Sequence, residues 1–319
     1  MSIRKLLVVA AAALGCSAAL GQGWPSKPVT LITAGAPGDG LDVIVRAISQ
    51  GLSKSIGQTV IVDNRPGAGG RLAMVALKNA PNDGHTIGAI SLNNIPLAAV
   101  NPDCPYDPVA DYSHLSLIAD AIPMLLVSPA LQINTVPELV AYAKANPGKL
   151  NYGSSGVGSI FHFYAEWLKQ LTGADMVHVA YKGEALALND IVNNRIQLMF
   201  ASGISKPFVQ SGKLTLIGTA GPERMRDFPN VPTMREQGLS EFVVTGWIGV
   251  SGPARMPRDV VEKANAALAK AVTVEETKKL LNNFTFVERG TSAEEFTDKV
   301  RFDLARLRRI GQSANIRLE

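Results

Sequence analysis

Four glycine-rich turns, each set between a β-like run and a helical run, are where this chain has the clearest capacity for chemistry. They are Ala36-Pro37-Gly38-Asp39-Gly40, Arg65-Pro66-Gly67-Ala68-Gly69-Gly70, Gly153-Ser154-Ser155-Gly156-Val157-Gly158-Ser159 and Tyr181-Lys182-Gly183-Glu184. Glycine permits a tight turn and leaves backbone N–H groups uncovered, and the helix that follows begins with unpaired donors and a partial positive charge. Such a turn can hold an anion with no basic side chain. In open α/β sheets these turns lie at the carboxyl ends of the strands, where ligands bind. One glycine turn by itself is usually only a turn. Here they occur in two separate stretches, so that two can face each other across a cleft. None is a nucleotide fingerprint: Gly38-Asp39-Gly40 lacks the third glycine of a dinucleotide loop, and none ends in the Lys-Ser/Thr pair of a P-loop.

Covalent and metal chemistry have little support. The Gly153 turn resembles a nucleophile elbow only loosely, since Ser155 is followed two residues later by Val157 where that motif has glycine. His85, His114, His162 and His178 show no metal-ligand spacing. Cys104 sits in the proline-bounded Asn101-Pro102-Asp103-Cys104-Pro105 with no base nearby. His162, on a helical run after the Gly156 turn, can either donate to a ligand or pack as a helix histidine. No catalytic residue, metal or cofactor is expected.

The elements that must position these turns alternate. Val29 to Ile32, Val60 to Val62 and Thr86 to Ile90 read as strands. Leu41, Ile44, Val45, Ile48, Leu52 and Ile56 recur at helical spacing, and Leu72 to Leu77 starts another helix. Strand-helix alternation predicts a parallel sheet covered on both faces. The pattern then restarts. Thr135-Val136-Pro137-Glu138 has a capping-box spacing and an early proline. Leu150 to Tyr152, Met176 to Val179, Ile196 to Phe200 and Leu214 to Gly218 read as strands, with helices over Ile160 to Leu171 and Ala185 to Val192. After about Thr245 come a strand, Trp247 to Val250, and three helical stretches that need a sheet to pack on. The simplest arrangement returns them to the first unit. The expected organisation is a first lobe over 22–122, a second over 123–245 and a return segment over 246–319. Crossings near Ala119 to Met124 and Val243 to Trp247 then make a hinged clamshell.

Met1 to Lys5 is basic, Leu6 to Ala13 is unbroken and apolar, and small residues continue to Gly21. This is the layout of a secretory signal peptide over 1–21, with cleavage near Gly21 and export to the periplasm. Lipidation at Cys16 competes with it, but Ala13 and Leu14 fit a lipobox poorly. Losing Arg4 and Lys5 takes the formal charge from +4 to +2. No lysine or arginine run suggests nucleic acid, and the Arg306, Arg308, Arg309 cluster reads as a solvated helix face. Cys104 would then have no partner for an internal disulfide.

A family resemblance covers nearly the whole chain beyond that segment. It is carried by Trp24-Pro25-Ser26-Lys27-Pro28-Val29, Ala36-Pro37-Gly38 with Asp42, Val62-Asp63-Asn64-Arg65-Pro66-Gly67-Ala68-Gly69-Gly70, Pro81-Asn82-Asp83-Gly84-His85-Thr86, Tyr106-Asp107-Pro108, Tyr152 to Ser159 with His162 and Glu166, Tyr181-Lys182-Gly183, Phe228-Pro229-Asn230-Val231-Pro232-Thr233 with Glu236 and Gly238, and Trp247. In this the chain resembles the substrate-binding proteins of tripartite tricarboxylate transporters, the Bug family. The resemblance implies an α/β fold of the two-lobed periplasmic-binding-protein type II, a Venus flytrap with a hinged cleft. It also implies a small carboxylate or amino-acid-like ligand between the lobes, delivery to the membrane permease subunits of such a transporter, and no catalysis. The positions it places at the pocket are Pro37, Gly38, Asp39, Gly40 and Asp42; Ser91 and Asn93; Ser154, Gly156, Ser159 and His162; Lys182, Gly183, Glu184 and Ala185; and Ser202. Asp39 stands where the family has glycine and Leu41 where it has a small hydroxyl residue. Asp39 could repel an anion, pair with a ligand ammonium or face solvent at the rim. An exported α/β hydrolase and the ligand-sensing part of a signalling receptor are the alternative functions.

Overall fold

The structure, a computed structural model, describes residues 23–38 and 40–317. The signal peptide expected over 1–21, its cleavage point, Cys16 and Asp39 lie outside the described residues.

The first lobe opens with β1 (Val29–Thr33), α1 (Gly40–Ile56), β2 (Val60–Asn64), α2 (Arg71–Lys78), β3 (Thr86–Ser91), α3 (Pro96–Val100) and β4 (Tyr112–Ala121). The second holds β5 (Met124–Val127), α4 (Val136–Ala145), β6 (Leu150–Ser154), α5 (Ile160–Thr172), β7 (Met176–Ala180), α6 (Glu184–Val192), β8 (Leu198–Ala201), α7 (Lys206–Gln210) and β9 (Thr215–Thr219). The chain then adds β10 (Gly246–Pro253), α8 (Arg258–Val272), α9 (Glu275–Asn283), β11 (Phe286–Glu288) and α10 (Ala293–Ser313). β10 and β11 join the first sheet, whose order is β11-β4-β10-β3-β1-β2. The second sheet runs β7-β6-β8-β5-β9.

Helical spacing is read out directly in the packing. Ile44, Val45, Ile48 and Leu52 of α1 are buried and share a core with Leu31 of β1 and with Ala264, Leu268 and Ala271 of α8. At the start of α4, Thr135 and Glu138 form the reciprocal capping box. The expected all-parallel sheets are corrected. β1 is parallel to β2 and β3, but β10 is antiparallel to β3 and β4, and β5 is antiparallel to β8 and β9. β5 and β10 are the strands by which the chain enters each sheet from the other lobe. No helical crossover within the same sheet precedes them, so nothing forces them parallel. The strand expected over Ile196 to Phe200 pairs instead over Leu198–Ala201.

Two segments cross between the lobes and are laced together. Ile122-Pro123 separates β4 from β5. Ala220 N–H donates to the Pro123 carbonyl at 2.9 Å, and Val244 N–H, just before β10, donates to the Ala220 carbonyl at 2.8 Å. Behind this joint the lobes share apolar packing. Trp247 and Phe296 of the first lobe belong to one buried cluster with Phe163, Tyr164, Phe200 and Phe242 of the second. α10 straddles the joint: Arg306 donates to the Val243 carbonyl at 3.3 Å, and its guanidinium lies over the Trp167 ring of α5. Among the described residues no helix is long and apolar enough to cross a membrane.

Candidate functional site

A cleft between the lobes has two adjoining parts that share Leu41, Ser91, Asn93 and Ser155. The first, about 340 Å³, is walled by Leu41, Ile44, Phe161, Tyr164, Trp247, Phe284 and Phe286, with Glu184 and Ser202 on the second-lobe side. The other, about 750 Å³, is walled largely by backbone: Ala34-Gly35, Gly67 to Arg71, Asn93-Asn94, Gly158-Ser159 and Gly183. Both lie in the size range of small-molecule sites.

The second part has the electrostatics of an anion site. α2 begins after Gly70 and α6 after Gly183, and neither cap residue makes a side-chain hydrogen bond to its helix. One helix start from each lobe is thus without a capping side chain beside the cavity, although the first N–H of α2, that of Arg71, already donates to the Ala68 carbonyl. Exposed Arg71 stands on the rim. Gly70 is held at φ +90°, and a Cβ there would collide with the Asn94 amide, so only glycine lets this loop lie against the Ser91 to Asn94 turn. That turn is braced in its own right: Ser91 N–H donates to Asn94 Oδ1 at 2.8 Å and Tyr106 OH to the Asn94 carbonyl at 2.7 Å.

The sequence-derived positions divide into two sets. Gly40, Ser91, Asn93, Ser159, Gly183, Glu184 and Ser202 line the cleft. Pro37, Gly38, Asp42, Ser154, Gly156, His162, Lys182 and Ala185 line neither part. Several of these hold the lining loops from behind. Asp42 is buried and accepts from Gly38 N–H (2.8 Å), Arg46 Nε (2.9 Å) and Asn64 Nδ2 (2.7 Å), while Asn64 also donates to the Gly35 carbonyl. It ties the first glycine turn to the end of β2. The Arg46 hydrogen bond holds its carboxyl at about 2. The folded value lies below the unfolded one, so this stabilisation is present above pH ~4 and is lost as pH falls toward 2. Asp42→Asn is expected to cost about 1–2 kcal/mol at pH 7, discounted because Arg46 is half exposed, and almost nothing at pH 2. Urea unfolding at the two pH values checks this.

His162 and His178 stack with ring centroids 3.9 Å apart behind the Gly153 turn. Gly158 N–H donates to His162 Nδ1 at 3.1 Å, so that ring is neutral and carries its proton on Nε2. Burial pushes both imidazoles below the ordinary value, His178 to about 4. Ser154 Oγ lies 2.7 Å from His178 Nε2, a pairing with the composition of a nucleophile and base. Its single proton goes to the Gly156 carbonyl at 2.9 Å, which leaves His178 as the donor. The hydroxyl is also fully buried. The pair therefore shapes the turn and offers no nucleophile to the cleft.

Sequence reasoning did not select Arg71, Phe161, Tyr164, Trp247, Phe284 or Phe286 as site residues. The Gly67 to Gly70 turn was visible as a glycine motif, and Arg71 follows it directly. The aromatic wall carries no local signal, because its members come from α5, β10 and the β11 region and meet only in the fold.

Comparison with known proteins bears on this geometry. The family model described as "Tripartite tricarboxylate transporter family receptor" matches residues 44–316. The "UPF0065 protein in tcbD-tcbE intergenic region" of Pseudomonas sp. strain P51 is 32% identical over 313 residues, covering 96% of this chain and 93% of that one. Among solved structures, R. palustris Rpa4515 with adipate superimposes with a TM-score of 0.79 at 28% identity, covering 92% of this chain and 99% of that one. MatC (Rpa3494) from Rhodopseudomonas palustris with bound malate gives 0.76 at 26%, covering 90% and 99%.

Proposed function

The chain belongs to the tripartite tricarboxylate transporter receptor family, and from that premise we propose that it captures a small carboxylate between its lobes in the periplasm and hands it to the permease of such a transporter. The observation that carries the reading is the pair of helix starts without capping side chains, α2 from one lobe and α6 from the other, beside one cavity. A carboxylate there accepts N–H groups from both lobes at once. Closure is then favoured by contacts made only when both lobes are engaged. The adipate and malate carried by the two related structures support a carboxylate as the shared group. The residues we assign to its binding are Gly40, Ser91, Asn93, Ser159, Gly183 and Ser202, with Arg71 at the rim. Gly38, Asp42, Ser154, Gly156 and His162 brace those loops from behind, and Pro37, Lys182 and Ala185 are assigned no contact with the ligand. Export by a signal peptide cleaved near Gly21 belongs to the same reading.

A thermal-shift screen tests it. Adipate, malate, aromatic carboxylates, amino acids and their neutral amides are added to the protein lacking residues 1–21. A carboxylate at ~100 times its dissociation constant should stabilise by about 2.7 kcal/mol, with no shift from the matching amide. Equal shifts from acid and amide would contradict an anion site.

A further inference from the structure

We propose that the solute also carries a protonated nitrogen, and that Glu184 is the residue that selects for it. The inference rests on the carboxylate reading above and adds a second charge to the ligand. Glu184 opens α6 and lines the apolar part of the cleft, where it is the one charged residue among the described residues of the wall. Its two oxygens accept from Ser202 N–H at 2.6 Å and Ser202 Oγ at 2.8 Å, and it makes no ion pair among the described residues. A carboxylate offers about four lone-pair sites, so roughly two remain. A carboxylate partly withdrawn from water without a counter-charge is costly. The wall therefore holds an acid that a donor on a ligand can satisfy, surrounded by Ile44, Phe161, Tyr164 and Trp247 that suit an apolar body.

The geometry also distinguishes which polar group. Both Glu184 oxygens already accept hydrogen bonds, which favours the ionised form. The complementary partner is a donor, and the missing counter-charge makes it a cation. Neighbouring charges do not supply one: Lys182 is exposed, Lys206 pairs with Asp227 and Arg289 with Asp120. His162 and His178 are held neutral behind the Ser154 turn. In the empty protein burial raises the Glu184 carboxyl to about 7. A cationic ligand would pull that value down, so its affinity should rise as pH goes from 6 to 8.

Calorimetric titration with matched probes tests this: hexanoate against 6-aminohexanoate, and 4-methylbenzoate against 4-(aminomethyl)benzoate. At pH 8 the aminated member of at least one pair is expected to bind wild type tenfold or more tighter than its plain partner. Glu184→Gln should erase that preference. The same variant should melt higher than wild type when empty, by a margin that grows from pH 5 to 8. The sign follows because the unfolded acid loses its proton near 4.5 and the folded one near 7, so wild type loses stability as pH rises through that window. Plain carboxylates binding as tightly as aminated ones in wild type would overturn the proposal and leave the carboxylate reading standing. Binding of neither member of either pair, together with a flat carboxylate screen, would remove both.

Discussion

Replacing Gly203 by valine is expected to weaken solute binding by about 100-fold while the melting temperature stays within a few degrees of wild type. Gly203 follows β8 in the second lobe, and Phe284 and Thr285 precede β11 in the first. A Cβ at Gly203 would stand well inside van der Waals distance of the Phe284 carbonyl oxygen and 2.5 Å from Thr285 Oγ1. Backbone cannot give way as a flexible side-chain tip can, so the lobes must part there. Gly203 and Phe284 both line the apolar half of the cleft, and parting them opens its wall. A ligand held by donors from both lobes loses some of those contacts even when the separation is only about 1 Å. A 100-fold loss corresponds to about 2.7 kcal/mol. Stability should hold, because the added atoms meet the other lobe at a boundary and create neither a cavity nor an unpaired charge within either core. Gly203→Ala should move affinity in the same direction by less. Wild-type affinity in the valine variant would mean that the lobes need not approach at Gly203 to hold the solute.

The largest loss of stability is expected at Asp303. Its carboxylate is fully buried on α10 and accepts from Trp247 Nε1 at 2.8 Å, Arg306 Nη2 at 2.6 Å and Lys299 Nζ at 2.8 Å. Arg306 is itself 4% exposed, and its Nε has no partner among the described residues. Asp303→Ala would leave the indole N–H with nothing to bond and the buried guanidinium with the Val243 carbonyl as its remaining acceptor among the described residues, and loss of one member of such a group costs about 3–5 kcal/mol. For a chain of this size that is a fall of about 5–8 °C in Tm. Asp303→Asn should recover part of the loss by accepting from Trp247, though it restores no charge. Since α10 contacts both lobes, the alanine variant should also bind solute more weakly, whereas a purely local role would leave affinity unchanged.

The fold was legible wherever one face of an element is buried and the other wet. α1, α2, α4 and α5 repeat their apolar residues at helical spacing, and the glycine turns mark where strands give way to helices. β4 was not legible. Eight of its ten residues are buried, so it has no alternation, and it carries Ser113, His114, Ser116 and Asp120. Those polar groups bond to partners far along the chain: His114 meets Ser251 Oγ at 2.9 Å, Ser116 donates to the Thr291 carbonyl at 3.0 Å, and Arg289 donates to Asp120 at 2.6 Å. Nothing local announces such pairings. Strand direction was misread for the same reason, since β5 and β10 themselves enter their sheets from the other lobe.

The candidate site was half legible. Backbone-donating turns have a composition signal that covers Gly40, Ser159, Gly183 and Glu184, whereas Ser91, Asn93 and Ser202 came only from the family resemblance. The chemistry of individual side chains was harder to read. Asp42 and His162 have the residue types of ligand contacts, yet their polar atoms are engaged in holding loops. Glu184 was visible as a turn residue, but its burial and its lack of a counter-charge appear only once Ser202 is folded beside it.

The central claim, capture of a carboxylate by backbone groups of both lobes, is tested most directly by amide hydrogen exchange with and without a saturating carboxylate found by the thermal screen. The account predicts slowed exchange in the turns around 70–73 and 91–94 of the first lobe and around 155–160, 183–186 and 202–204 of the second, together. Protection confined to one lobe, or absent from the starts of α2 and α6, would contradict it.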